Sequence, residues 1–517
     1  MEKLDFIRFF AVESFLKTVF SGEFSTGVPL KFEKGNWKMK LSEIVSYLSQ
    51  KGLVVENPCS DVEIAHISCD SRDVKANTLF FVKGVAFKPE YLLSAVENGA
   101  VAYVSEFDLG VDIPFVKVSD VRKAMPYGAK FFYGDPVSRY KLAAVTGTKG
   151  KTSLVYMLRS VFEAAFGAEK YGYISTNGAM CGTQPLKKSG TTPEALELYG
   201  ILNKFALENI SAAAMEVSSQ ALKYDRVEGI KFHTGVFLNL SNDHISPTEH
   251  SSFEDYKAAK LKLLENCRFG AVNIDDPSGE EFFKASKCEK TYTYGIKNEC
   301  DFRAENIILT KYGSSFTVKG EEFTLKMPGE FNIYNALAAI IVCETMGIGL
   351  EFVKKGLAEA TAEGRMEIFE KNGVTVLVDY AHNKLSFEAV FDFVDKFYPD
   401  SRKICLFGCQ GNKALDRRRE LPEVAGNRAD MVVLTSDDPA NEEPMAIIGE
   451  VEVELRKTPV KFISIEDREE AVAYAVGNAQ SGDVVILAGK GQETTQQVRG
   501  RAVAYVGDMK KAKEILG

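Results

Sequence analysis

The chain has 517 residues, 45% of them hydrophobic and 26% charged, with a formal net charge of −9. That length corresponds to about three domains of ordinary size, and the composition to a globular protein with a full core. The acidic balance argues against a nucleic-acid surface, which needs clustered Lys and Arg, and no apolar run approaches the ~20 residues of a membrane-spanning helix.

Residues 1–40 open with M-E-K-L-D-F-I-R-F-F-A-V-E, where acids interrupt the aromatics. A signal peptide needs a basic start and an unbroken apolar stretch, so this segment is read instead as an amphipathic helical cap on the first domain. From about 40 to 140 the pattern predicts alternating strands and helices. Strands are expected at 62–67, 78–82 and 101–104, and a helix at 91–98 closed by Gly99. The polar segment Cys69-Asp70-Ser71-Arg72 follows a strand and is either a ligand-facing strand end or a plain turn.

At 146–153 the sequence T-G-T-K-G-K-T-S follows the apolar run L-A-A-V and precedes helical spacing at Leu154, Leu158, Val161 and Phe162. A strand, a glycine-rich turn and a helix make a phosphate-binding loop, because turn N–H groups and the helix dipole surround phosphate oxygens. Lys151 would reach the terminal phosphates and the Thr152 hydroxyl would ligate Mg²⁺. The general pattern asks for glycine where Val145 stands. Further strands at 212–215 and 234–238 end in E-V-S-S-Q and N-L-S-N-D-H. Such β-then-α alternation implies a mostly parallel sheet with helices on both faces and ligands at the carboxyl ends of its strands. Glu216 is then placed to assist Mg²⁺, or it is a helix cap or surface acid. His244 and His382 are two of only five histidines, and both fall at expected strand ends. Lys260 lies in a helical segment and by itself reads as a solvated cation.

From about 364 the theme repeats, with four strands at 374–378, 403–407, 431–434 and 484–488. Each ends in polar or glycine-rich residues, including Asp379, Gly408 to Gly411, the acid pair Asp437-Asp438, and Gly489 to Glu493. Paired acids at a strand end repel unless a cation visits, by about 4 kcal/mol per contact at ~4 Å and an effective dielectric near 20. The alternative is a solvated turn. The nine cysteines show no C-x-x-C spacing and read as reduced cytosolic thiols rather than a zinc site.

Taken in order, T-G-T-K-G-K-T-S, T-T-P-E at 191–194, M-E-V-S-S-Q-A at 215–221, N-D-H at 242–244, F-N-I-Y-N-A at 331–336, G-R-M-E at 364–367, D-Y-A-H at 379–382 and G-K-G-Q-E at 489–493 resemble the Mur ligases, specifically the MurE type that extends UDP-N-acetylmuramoyl-dipeptide. In this family the missing first glycine of the loop is normal. The resemblance covers about residues 40–517. It implies an α/β fold of three domains: an N-terminal UDP-sugar-binding domain at 1–140 (with residues 1–40 an extension of unknown role), a central phosphate-loop ATP domain at 141–363, and a Rossmann-like C-terminal amino-acid domain at 364–517. It also implies a cytoplasmic, monomeric enzyme of peptidoglycan precursor synthesis, serving cell-wall biogenesis, cell shape and division. ATP activates a carboxylate as an acyl phosphate, and an amine then displaces phosphate.

By that resemblance Gly147, Thr148, Lys149, Gly150, Lys151, Thr152 and Ser153, with Asn332, Arg365 and Asp379, hold ATP. Lys151, Glu216, His244 and Lys260 are catalytic. Thr152, Glu216 and His244 serve Mg²⁺ together with Lys260, which the family carbamylates with CO₂. Ser71, Thr191, Thr192, Ser218 and Arg226 contact the UDP-sugar peptide. Lys413, Asp437, Asp438, Pro439, Ala440, Gly489 and Glu493 bind the incoming amino acid. Members that add meso-diaminopimelate carry D-N-P-R, whose arginine pairs with the distal carboxylate. Here the sequence is Asp437-Asp438-Pro439-Ala440, which lacks that arginine and adds an acid suited to a cationic side chain, as in the L-lysine-adding members. Lys413 replaces a usual arginine and cannot form its bidentate fork. Other readings are meso-diaminopimelate or ornithine as the amine, a folylpolyglutamate-type ligase, a kinase, and a nucleotide-binding regulator without turnover.

Overall fold

The computed structural model describes residues 38–57, 60–84, 87–242, 245 and 249–517. Most of the expected N-terminal cap, residues 1–37, lies outside the described residues, as does His244. The description begins with a strand at Met39–Lys40 that leads into the helix Leu41–Gln50.

Three α/β sheets follow in chain order. The first has five strands in the order Val54–Glu56, Phe115–Val118, Ala100–Ser105, Thr78–Phe81 and His66–Ser68, all parallel except the first pair. The single strand expected at 62–67 is two pieces: Glu63–Ile64 pairs with Met39–Lys40, and His66–Ser68 joins the sheet. Two sheets claim adjacent residues, so the chain must break between them at Ala65.

The second sheet has nine strands, with the phosphate-loop strand Lys141–Thr146 between Ala212–Glu216 and Phe232–Phe237. Its register places Glu216 opposite Val145. Alternate residues of the loop strand serve opposite faces. Leu142 and Ala144 pack in one core with the helix Ala195–Leu207. Ala143 and Val145 pack in another with the helices Lys151–Phe166 and Phe331–Met346. A strand buried on both sides must be apolar throughout, which explains the unbroken L-A-A-V run. At one edge the hairpin strands Gly178–Cys181 and Gln184–Leu186 run antiparallel, and residues 305–325 form a separate three-stranded meander.

The third sheet has six strands, in the order Glu367–Lys371, Val374–Asp379, Val484–Ala488, Lys403–Phe407, Met431–Leu434 and Lys461–Ser464. The four expected strands form its middle, flanked by an antiparallel strand at one edge and a parallel one at the other. Lys461–Ser464 is short and only half-buried, and Glu367–Lys371 has three charged residues around two apolar ones, so neither carries a strong apolar signal. No helix among the described residues is long and apolar enough to cross a membrane.

Candidate active site

The carboxyl ends of the second and third sheets face each other across a cleft of about 590 Å³. Its walls include Thr148 to Ser153, Thr176, Thr191, Glu216 and Ser218 on one side, with Arg365, Asp379, Tyr380, His382 and Lys413 on the other. The Arg365 guanidinium lies 3.3 Å from Thr152 Oγ1 and stacks 4.2 Å from the Tyr380 ring centroid. Lys149 Nζ lies 3.4 Å from His382 Nε2. The two sheets therefore already touch at the phosphate loop.

The loop is held in shape by its neighbours. Gly150 has φ +87°, and a Cβ there would lie 2.5 Å from Asn335 Oδ1. Only glycine tolerates both the backbone and the space. The Asn239 side chain accepts from Lys149 N at 2.9 Å and donates to Lys149 O at 3.1 Å, closing the turn like a bracket. Asn335 is itself fixed by donating to Asn332 Oδ1, and Asn332 donates to Pro328 O. Lys151 Nζ donates to Gly147 O at 2.8 Å and Thr148 O at 3.1 Å. The ammonium thus sits in the mouth of the loop, where a phosphate oxygen would meet it.

Glu216 is buried at the end of its strand. It accepts from Thr152 Oγ1 at 2.7 Å and from both Thr176 N at 2.8 Å and Thr176 Oγ1 at 3.2 Å. A hydroxyl and a carboxylate in contact beside a phosphate loop form an oxygen donor set that suits Mg²⁺. Lys260 is buried rather than solvated. Its Nζ donates to Gly147 O at 2.9 Å and Thr146 Oγ1 at 3.4 Å, and lies 4.7 Å from the Tyr256 ring centroid. The helix Phe253–Leu261 thereby aims a lysine at the base of the loop.

Next to this centre, Thr192 Oγ1 accepts from Ser218 N and donates to Glu216 O, both at 3.0 Å. Arg226 donates to Thr192 O and pairs with Glu194 at 2.7 Å, and Glu194 also pairs with Lys83 of the first sheet's unit at 2.6 Å. Thr191, Thr192, Ser218 and Arg226 are thus adjacent. Ser71 stands in the turn after His66–Ser68. Burial pushes the thiol of nearby Cys69 up to about 11, with Lys83 and Glu194 as its charged neighbours.

In the third unit, Asp379 is held above the ordinary carboxylate range by burial, against the opposing pull of Arg365, while its Oδ2 accepts from Met366 N at 2.7 Å. The acid pair forms a cluster that includes a residue sequence reasoning passed over. Lys490 is buried and reaches Glu493 Oε2 at 2.5 Å, Asp438 Oδ1 at 2.9 Å and Asp437 Oδ1 at 4.0 Å. Burial lowers the Lys490 pKa, but Asp437, Glu493 and Asp438 outweigh it and hold it above the ordinary value. Asp437 is pushed up to about 6 by burial, although Lys490 and Arg468 oppose this, and neither of its carboxylate oxygens accepts a hydrogen bond among the described residues. Gly489 has φ +109°, and a Cβ there would lie 2.8 Å from Asp437 Oδ2. Glu493 Oε1 accepts from Tyr380 OH at 3.1 Å, linking the cluster to the cleft wall.

Two expectations change. Asp438 is not an unpaired anion waiting for a cation, because Lys490 and Gln497 N already bind its Oδ1. Lys413 is exposed and lines the cleft with the phosphate loop, whereas Asp437, Asp438 and Ala440 are not among the cleft-lining residues. The signal for Lys490 was available, since it is the cation inside G-K-G-Q-E. Asn335 likewise stands inside F-N-I-Y-N-A, whereas Thr176 and Lys83 had no such signal, because only tertiary packing brings Thr176 to Glu216 and Lys83 to Glu194.

A phosphate loop whose cleft is closed by a second α/β sheet defines a nucleotide-using protein of two cooperating sheets. Residues 145–343 match the Mur ligase middle domain, and residues 364–491 match the Mur ligase glutamate ligase domain. The chain is 39% identical to a UDP-N-acetylmuramoyl-L-alanyl-D-glutamate–2,6-diaminopimelate ligase of Caldanaerobacter subterraneus, covering 88% of this chain and 95% of that one. It is 37% identical to a UDP-N-acetylmuramoyl-L-alanyl-D-glutamate–L-lysine ligase of Streptococcus mutans, covering 88% and 93%. A solved structure of a 2,6-diaminopimelate ligase of this kind superposes with TM-score 0.61 at 26% identity, covering 88% of this chain and 94% of the other. The chain belongs to the Mur ligase family.

Proposed function

We propose that this protein is the ATP-dependent ligase that joins L-lysine to UDP-N-acetylmuramoyl-L-alanyl-D-glutamate in peptidoglycan precursor synthesis, acting as a cytoplasmic monomer where ATP is supplied. Identity to the relatives does not separate lysine from diaminopimelate, since 39% and 37% are equivalent. The acid cluster is what supports lysine. Three carboxylates share one ammonium from Lys490, which leaves an excess of negative charge. Ala440 offers no guanidinium for a second carboxylate. A cationic side chain is favoured there and a zwitterionic one is not.

Lys151 and the loop N–H groups hold the triphosphate of ATP, with Asn332, Arg365 and Asp379 toward the rest of the nucleotide. Thr152 and Glu216 would hold Mg²⁺, which would neutralise charge on the phosphates; His244, which the family motif adds to this set, lies outside the described residues. Thr191, Thr192, Ser218, Arg226 and Ser71 orient the UDP-linked peptide. Its carboxylate oxygen attacks the terminal phosphorus and ADP departs. The lysine amine then attacks the acyl carbon, loses a proton and expels phosphate. Carbamylation of Lys260 by CO₂ would replace a buried ammonium with an anion facing the base of the loop, which suits a metal-orienting role.

Phosphate release should require ATP, Mg²⁺, the UDP-dipeptide and lysine together. Turnover without the amine, or faster turnover with diaminopimelate than with lysine, contradicts the proposal.

A further inference from the structure

The loop Asp437 to Ala440 is clamped from two sides. On one side, Gly411 N donates to Asp438 O at 2.9 Å, and a Cβ on Gly411 would lie 2.0 Å from Pro439 O. On the other stands a hairpin, Thr495–Val498 paired with Arg501–Ala504, which no motif pointed to. Gln496 Nε2 donates to Asp437 O at 2.7 Å and Ser436 O at 3.3 Å. Gln497 N donates to Asp438 Oδ1 at 2.9 Å, and Ala440 N donates to Gln497 O at 2.9 Å. Arg499 N donates to Ala440 O at 2.5 Å, and Ala440 itself has φ +54°.

The hairpin adds little apolar packing of its own, since Arg501–Ala504 is exposed along its whole length. It buries no apolar face, and its backbone and Gln496 are turned to that loop, while the Arg499 side chain pairs with Glu443 beyond it. Ala440 sits in a left-handed conformation that alanine rarely adopts, and the two backbone bonds to Gln497 and Arg499 are what hold it there. A loop fixed this closely presents its carboxylates at one spacing, and selection between diamino acids depends on that spacing.

We propose that the hairpin Thr495–Ala504, acting through Gln496, is the positioning element that sets selectivity for the incoming amino acid. This rests on the reading that the acid loop receives that amino acid. Gln496 is a positioning residue: it touches the loop backbone and no charged group of the cluster. The Glu variant is nearly isosteric but cannot donate to two carbonyls.

The test measures kcat and KM for lysine and for ATP in full-length Gln496→Glu and Gln496→Ala, beside Asp438→Asn. Loss of two hydrogen bonds should raise the KM for lysine about tenfold in both Gln496 variants. The kcat at saturating lysine and the KM for ATP should stay within about twofold of the parent. A fall in kcat with an unchanged KM for lysine, or a parallel rise in both KM values, assigns Gln496 a merely structural role and overturns the proposal. If Asp438→Asn raises the KM for lysine and the Gln496 variants do not, the hairpin claim alone falls. If none of the three moves it, the acid loop is not the amino-acid site and both readings fall.

Discussion

At the residue scale, two groups show how burial changes what a side chain can do. Lys260 looked like a solvated helix cation, yet it is buried against Gly147 O and Thr146 Oγ1. If it works as a carbamate, Lys260→Ala should lose at least about a hundredfold in kcat, with partial recovery on adding short carboxylic acids. Full activity in that variant removes the carbamate from the mechanism. Asp437 holds its proton up to about pH 6, above its ordinary value of 3.8. The folded state therefore binds that proton more tightly than the unfolded chain does. The resulting stability is fully present below about pH 4 and is lost as pH rises through about 6. For binding the sign is opposite: protonation below about pH 6 removes one negative charge from the cluster. The KM for lysine should therefore rise as pH falls from 7 to 5, and in Asp437→Asn that rise should disappear. A parent profile that is flat across this range excludes Asp437 from lysine binding.

At the scale of elements, the phosphate loop was legible because its chemistry is local: a buried strand, a turn rich in glycine and a helix lie within one stretch of chain. Of the loop's two glycines Gly150 is the more constrained, with positive φ and Asn335 Oδ1 where a Cβ would go. Gly150→Ala should destabilise the protein by about 1–3 kcal/mol in chemical denaturation and weaken ATP binding. An unchanged midpoint would mean that Asn335 moves aside at no cost. The strands at Lys403–Phe407, Met431–Leu434 and Val484–Ala488 were equally legible, being apolar runs between two helical layers. The strands Glu367–Lys371 and Lys461–Ser464 were not, because half-exposed edges mix polar and apolar residues. Nor was the hairpin Thr495–Ala504, whose order comes from hydrogen bonds to a loop some 60 residues away rather than from its own pattern. The same limit applies within the site. Glu216 and Thr152 were visible as strand-end and loop residues, but the Lys490 pairing that neutralises Asp438 needed the folded arrangement.

For the whole molecule, the first and second units share one apolar core, in which the helix Val121–Phe132 joins Ala195–Leu207, whereas the third unit keeps its own core and meets the second at charged and polar contacts. Glu194 joins Lys83 on the first unit to Arg226 on the second, and Arg365 and His382 of the third reach the phosphate loop. The polar contacts of the third unit are easily remade when it moves, which suits a reaction that admits three substrates in turn. Glu194→Gln should leave Lys83 and Arg226 facing each other without a counter-charge. The KM for the UDP-dipeptide should then change about fivefold or more, with the KM for ATP unaltered. If ATP affinity shifts equally, the ion pairs hold the global arrangement rather than the peptide site. The proposed function divides the work: the carboxylate to be activated would be read beside Thr192 and Arg226, activated at Lys151, and the amine chosen at Asp437 to Ala440. The direct test of that division is a competition in which lysine, ornithine and meso-diaminopimelate are supplied together with ATP, Mg²⁺ and the UDP-dipeptide, and the products are separated by mass. The lysine product should dominate in the parent and lose its lead in Ala440→Arg. A parent that prefers diaminopimelate, or a product ratio that Ala440→Arg leaves unchanged, contradicts the account.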